Sequence, residues 1–199
     1  MRFGRSSEGY EEHVERGQRR VGAVLFDRDG TLIEDVPYNA EPARVVPRPG
    51  ARSAIELLRG AGLALGVVTN QSGIGRGLVD AAAVARVNRR VEELLGPFGV
   101  WAICPHHPEA GCGCRKPAPG LVLRAAEALG RAPEECVVVG DTWADVGAAL
   151  AAGAGGILVP NDRTRPEELR MAPEVRASLT EAAQAIVARL RPLATEGRR

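Results

Sequence analysis

Two aspartates stand two residues apart in Asp27-Arg28-Asp29-Gly30-Thr31, directly after the apolar run Val21 to Phe26. At the end of a strand, alternation puts both side chains on one side. Carboxylates that close repel, so such a pair persists with a cation between them or with one of the two protonated. Either state suits chemistry on phosphorus. A magnesium ion would hold Asp27 ready to attack, and a neutral Asp29 could protonate a leaving oxygen and later deprotonate a water. Asp-Gly is equally an ordinary turn signal with solvated carboxylates, so the pair alone decides nothing.

Three further clusters bear on it. The run Leu63 to Val68 ends in Thr69-Asn70-Gln71-Ser72-Gly73, with Gly75 and Gly77 beyond. Its hydroxyls and backbone amides could cradle a phosphoryl group, although any strand can end in a polar loop. Lys116, in Arg115-Lys116-Pro117 before a helical pattern, would neutralise phosphate charge as it builds in the transition state; otherwise it is a surface lysine. The run Val137 to Val139 delivers Gly140-Asp141-Thr142, with Asp145 four residues past Asp141. Carboxylates at a strand end and in a first helical turn suit a magnesium ion and its waters, while Asp145 also reads as a helix N-terminal charge.

A different ligand set lies between these clusters. Cys104, Cys112 and Cys114 fall within eleven residues, with His106 and His107 among them. Three thiols and an imidazole are what zinc takes in a closed, structural tetrahedral site, with either histidine as the fourth ligand. Without an export signal such spacing favours metal over disulfide. Cys136, which opens an apolar run, reads as a small buried side chain.

The elements that must position these residues follow from apolar periodicity. Val21 to Phe26, Leu63 to Val68, Val100 to Cys104, Val137 to Val139 and Gly156 to Val159 are short, continuous apolar runs that read as buried strands. Ala51 to Arg59, Asp80 to Leu95, Leu121 to Leu129 and Asp145 to Ala152 read as the helices between them, with Asp80 placed as an N-cap. Alternating strand and helix predicts an α/β fold, a doubly wound parallel sheet with ligands at the carboxyl ends of its strands. Pro160 to Pro173 reads as loop, and Leu179 to Leu190 as a last helix packing on the sheet. Residues 1–20, charged and without periodicity, read as a loose arm, leaving 21–199 as one domain.

Composition narrows the partners. Lys plus Arg number 26 against 25 Asp plus Glu, a formal net charge of +1, so nothing draws the chain as a whole to nucleic acid or an anionic membrane. No apolar run is long enough to span a bilayer, and the start of the chain lacks a signal peptide's apolar core. The expectation is a cytoplasmic monomer acting on a small molecule.

In order along the chain, DxDGT, a threonine after the second strand, a lysine before a helix and GDxxxD resemble the haloacid-dehalogenase phosphotransferase superfamily over residues 21–160. The resemblance implies a Rossmann-like core and an aspartyl-phosphate formed on Asp27. It makes Asp29 the general acid and base and gives Thr69 and Lys116 to the phosphate. Asp27, the Asp29 backbone carbonyl and Asp141 would take magnesium, with Asp145 in support. Forty residues separate Asp29 from Thr69, and Val100 to Lys116 is mostly the cysteine loop, so neither place has room for a cap domain.

More narrowly, DRDGT, TNQSGIGRG, CPHHP, CxCRKPxPG and VGD together are similar to the heptose-bisphosphate phosphatases, relatives of the histidinol-phosphate phosphatases. That likeness implies a zinc site of Cys104, His106, Cys112 and Cys114, and substrate contacts from Asp35, Tyr38, Thr69, Asn70, Gln71, Ser72, Arg115 and Lys116. It also implies hydrolysis of a heptose 1,7-bisphosphate at its 7-phosphate; by charge, an open site could offer Arg115, and Arg76 as well, to the second phosphate. Thr142 departs from members that carry lysine there. Histidinol phosphate is the alternative substrate, for which the related group has an aspartate in place of Ser72. A non-catalytic zinc-bearing scaffold is a third reading, which the full set of Asp27, Asp29, Lys116 and Asp141 disfavours.

Overall fold

The first strand, β1 (Ala23–Phe26), is four apolar residues, every one buried. Its alternation divides the molecule: Val24 and Phe26 face one apolar core, Ala23 and Leu25 another. A strand covered on both faces needs helices on both, and they follow in order: α1 (Ala51–Gly60), β2 (Ala64–Asn70), a single turn α2 (Ser72–Gly75), α3 (Ala81–Leu95), β3 (Val100–Cys104), α4 (Gly120–Ala128), β4 (Cys136–Gly140), α5 (Trp143–Ala152), β5 (Gly155–Leu158), α6 (Pro166–Met171) and α7 (Leu179–Ala188). This computed structural model describes residues 21–190. The arm expected at 1–20 and the last nine residues of the expected domain lie outside the described residues.

The sheet is parallel throughout, in the order β3-β2-β1-β4-β5. Helices α1, α3 and α7 contribute to the core on the Val24 face, and α4 and α5 to the core on the Leu25 face. Local chemistry fixes their ends. The Asp80 carboxylate accepts from the Ala83 amide at 2.5 Å as the N-cap of α3, and α5 stops at Gly153, whose φ of 81° lies in the left-handed region.

Two expectations need correction. The segment from Pro160 to Pro173 is not all loop, because it contains α6. Pro166 sits at that helix's first turn, and the Glu168 carboxylate accepts from the backbone amide of Arg165 at 2.8 Å and that of Trp143 at 3.1 Å. Six residues held by one buried carboxylate leave no periodic trace in sequence. The last helix packs chiefly against α1 rather than on the sheet itself, with Leu179, Ala182, Ala183 and Ile186 entering the core there.

Neither place where a cap could be inserted holds one. Residues 27–50 carry one 3-10 turn, Pro42–Arg44, and residues 105–119 another, Pro108–Ala110. Among the described residues no helix is long and apolar enough to cross a membrane.

Candidate active site

From β1 the chain steps outward to β2 and β3, then returns to place β4 on the other side of β1. Ligands bind at such a switch point, beyond the carboxyl ends of the strands. Asp27 follows β1 and Asp141 follows β4 at that point, and the Asp27 amide prolongs the ladder by donating to the Val139 carbonyl at 3.0 Å.

Lys116 crosses beneath them. Its ammonium donates to Asp27 Oδ1 at 2.6 Å, Asp145 Oδ1 at 2.5 Å and the Val68 carbonyl at 2.7 Å, with its side chain only 2% exposed. The Asn70 side-chain amide clamps the lysine's backbone, donating to the Lys116 carbonyl at 3.2 Å and accepting from its N–H at 3.1 Å. Burial opposes the lysine's charge, but Asp145 and Asp27 outweigh it and lift Lys116 above its ordinary value. Lys116 therefore stays cationic.

The carboxylates shift upward too, which for them disfavours the charged form. Burial raises Asp27 well above the usual range; Lys116 opposes this, and Asp145, Asp141 and Asp29 add to it. Burial and then Asp145 push Asp141 up to about 6, against hydrogen bonds from Asn161 at 2.7 Å and Thr31 at 3.0 Å. Carboxylate oxygens of Asp27, Asp141 and Asp145 lie within 4.8 Å of one another. Three buried carboxylates against one lysine leave a negative excess that a divalent, oxygen-seeking cation fits. Asp145 is the most committed of the three, since its Oδ2 also accepts from the Thr142 amide at 3.1 Å and hydroxyl at 2.8 Å, so it caps α5 as well. Glycine is required beside this cluster. A Cβ on Gly140 would fall 2.2 Å from Asp145 Cβ, and one on Gly30, at φ 84°, would fall 2.5 Å from Asp141 Oδ2.

Asp29 has partners of its own, while its charge still adds to the burial that raises Asp27. Arg28, buried between the two, donates to the Asp29 carboxylate from Nε at 3.1 Å and Nη2 at 2.9 Å, and through Nη1 to Asn88 Oδ1 at 2.7 Å. Gln71 Nε2 adds a bond to Asp29 at 2.7 Å and another to Thr69 Oγ1 at 2.9 Å. Each aspartate thus has its own cation. Arg28 was visible between the two acids in sequence; Asn88, sixty positions away inside α3, gave no such signal.

Asp27, Asp29, Thr69, Gln71, Lys116, Asp141 and Asp145 line one cleft of about 440 Å³, together with Asp35, Tyr38, Ser72, Arg115 and Thr142. Tyr38 holds a φ of 51°, uncommon for a side chain of its size, with its ring edge against Gly73. Arg115 carries a buried Nη1 with no hydrogen-bond partner among the described residues. Arg76, a candidate by charge for the second phosphate, is exposed and does not line the cleft; Arg163, which sequence reasoning passed over, does.

Beside Arg115 the four soft ligands meet. Sγ of Cys104 lies 3.6 Å from Cys112 Sγ and 3.3 Å from Cys114 Sγ, and His106 Nδ1 lies 3.2 Å from Cys114 Sγ. Zinc–sulfur bonds of about 2.3 Å in a tetrahedron set ligand separations of about 3.8 Å, so the cluster has a zinc site's dimensions, slightly contracted. Burial and the other two thiols push Cys114 up to about 12, while Cys112, despite burial, is brought down to about 6 by the Arg115 amide and its neighbours. His107 points elsewhere, accepting from the Glu109 amide at 3.2 Å.

The sheet order, the cap-free core and the residues at its strand ends are those of haloacid-dehalogenase-like hydrolases, and a family model described as HAD-hydrolase-like matches residues 113–185. The D-glycero-beta-D-manno-heptose-1,7-bisphosphate 7-phosphatase of Mesorhizobium japonicum is 41% identical over 153 residues, 70% of each chain. That of Escherichia coli is 35% identical over 188 residues, 87% of this chain and 98% of its own. The crystal structure of the D,D-heptose 1,7-bisphosphate phosphatase from B. bronchiseptica, complexed with magnesium and phosphate, superposes with a TM-score of 0.74 at 29% identity, covering 83% of this chain and 98% of that one. The chain belongs to this heptose-bisphosphate 7-phosphatase family of haloacid-dehalogenase-like phosphatases.

Proposed function

We propose that this chain removes the 7-phosphate of a D-glycero-D-manno-heptose 1,7-bisphosphate with Asp27 as covalent nucleophile. The observation that carries the reading is the Asp27 carboxylate, seated on Lys116 at the switch point and opening into the same cleft as Asp29. In the first step an Asp27 oxygen bonds to phosphorus as the phosphorus–sugar oxygen bond breaks, and Asp29, having first taken up a proton from solvent, passes it to the leaving oxygen. In the second, water bonds to phosphorus, the Asp27 ester bond breaks, and Asp29, an acceptor from Arg28 and Gln71 at rest, takes the water's proton. Thr69 and Lys116 hold the phosphoryl oxygens, and Lys116 offsets the charge that gathers on them. Magnesium, held by Asp27, Asp141 and the Asp29 carbonyl with Asp145 in support, would supply the remaining neutralisation. Zinc on Cys104, His106, Cys112 and Cys114 would fix the loop that ends in Arg115.

The substrate follows from the charges in the cleft and from what the relatives are named for. Arg115 with its unpartnered Nη1 suits a second phosphate. Histidinol phosphate needs a carboxylate for its amine, yet Ser72 is neutral and the cleft-lining Asp35 stands beside Arg163, whose charge repels an incoming ammonium. Side-by-side kcat/KM values on heptose 1,7-bisphosphate and histidinol phosphate test the reading. A preference for histidinol phosphate would overturn it.

A further inference from the structure

We infer that Arg163 is the specificity residue that receives the substrate's second phosphate opposite Arg115, with Asp35 as the counter-ion it releases. The inference rests on the bisphosphate reading above and adds a residue that the sequence motifs do not contain.

Among the described residues the cations lining the cleft are Arg28, Arg115, Lys116 and Arg163. Two are already committed. Lys116 is locked between Asp27 and Asp145, and Arg28 between Asp29 and Asn88. A second dianion must therefore be met by Arg115 and Arg163. Arg163 is the mobile partner by chemistry: its side chain is 61% exposed, and its ion pair is with Asp35, itself 32% exposed. Such a solvated pair gives up little when it opens. A phosphate offers the guanidinium two oxygens in a bidentate fork and twice the charge. Arg163 stays beside Asp35 in the cleft wall as it turns to the phosphate, so its charge offsets that carboxylate as well.

The backbone that carries Arg163 is registered to the reaction centre rather than free on the surface. Asn161 Nδ2 donates to Asp141 Oδ2 at 2.7 Å and to the Gly30 carbonyl at 3.1 Å, and Thr164 Oγ1 donates to the Asp141 carbonyl at 2.7 Å. Asn161 Oδ1 in turn accepts from the Arg163 amide at 2.8 Å. Two of these bonds thus seat the loop on Asp141, the residue after β4, and one on Gly30, with Arg163 between the two anchoring residues Asn161 and Thr164. The other arginine enters from the cysteine loop after β3, so the two come from separate segments of the cleft wall.

The test compares heptose 1,7-bisphosphate with heptose 7-phosphate, which carries the scissile group alone, in the wild type, Arg163→Ala and Arg163→Lys. Loss of a charge-assisted contact predicts that Arg163→Ala lowers kcat/KM on the bisphosphate about 10- to 100-fold, mostly through KM. On the 7-phosphate the loss should stay under about 3-fold, with Arg163→Lys between wild type and alanine on the bisphosphate. Unchanged thermal melting is expected, since the side chain is exposed. A wild type that does not favour the bisphosphate sinks the substrate reading and this inference with it. A wild-type preference that persists undiminished in Arg163→Ala, or equal losses on both substrates, overturns this inference and leaves that reading standing.

Discussion

Replacing Lys116 by methionine keeps the length of the stem and removes the one ammonium shared by Asp27 and Asp145. The lysine side chain is 2% exposed, and its nitrogen lies 2.6 and 2.5 Å from the two carboxylates. Removing one partner of a buried ion pair costs about 3–5 kcal/mol, because the remaining charge has neither water nor a counter-ion. For a domain of this size each kcal/mol moves Tm by about 2–4 °C, so metal-free Lys116→Met should melt roughly 6–20 °C below the parent. Part of that loss is absorbed if Asp27, already raised by burial, takes up a proton. The structure also predicts a rescue. Adding Asp145→Asn removes one of the stranded charges, so the double variant should be more stable than Lys116→Met alone, though no more active. Activity should fall at least about 100-fold in both, as expected when a group that stabilises transition-state charge is lost. Urea melts in chelator and phosphate release read the two quantities. A Lys116→Met protein as stable as the parent, or a double variant no more stable than the single, would refute the reasoning.

Asp27→Asn should fold normally by circular dichroism yet lose phosphate release by several orders of magnitude, because an amide cannot form the acyl phosphate; near-parental turnover would count against covalent catalysis. One zinc per chain should survive purification without chelator, and Cys112→Ser should raise KM more than it lowers kcat, since the cysteine loop carries Arg115 and not the nucleophile. In chelated protein, Asp141 is raised from 3.8 to about 6, so its contribution to stability is fully present below 3.8 and lost as pH rises through 6. The gain in Tm on adding magnesium should therefore grow between pH 5 and 7.5, which differential scanning fluorimetry can follow; a flat gain would contradict it.

The five strands were legible because each is a continuous apolar run, the pattern a strand takes when both its faces are covered. The third was expected with its observed bounds, and the others differ by a residue or two, as with β4, which runs Cys136–Gly140 around the expected Val137 to Val139. The acids at the strand ends were legible for a related reason: a polar cluster after such a run marks where the chain emerges. What stayed hidden depends on long-range pairing. Nothing local to Asn88, Asn161 or Thr164 distinguishes them from solvent-facing residues, and their roles exist only once α3 lies behind Arg28 and the loop after β5 has reached Asp141. Asn70, read as a substrate contact, lines the cleft and also holds the Lys116 peptide through its side-chain amide, a second role that only the fold reveals.

The bonds that converge on Asp141 also say something about when a chain becomes an enzyme. Thr31 reaches it across 110 positions, and Asn161 ties it to Gly30 across 131. At the usual pace of about 5–20 residues per second, a ribosome needs roughly 7–26 s to extend from Gly30 to Asn161. The nucleophile is thus made well before the clasp that closes round its metal-side neighbour. Parallel pairing of such distant segments is slow in itself. A nascent chain halted just before Asn161 holds Asp27, Lys116 and Asp141 without the bonds from Asn161 and Thr164 that seat Asp141 and Gly30, so the site is fully braced only once the loop after β5 has been made.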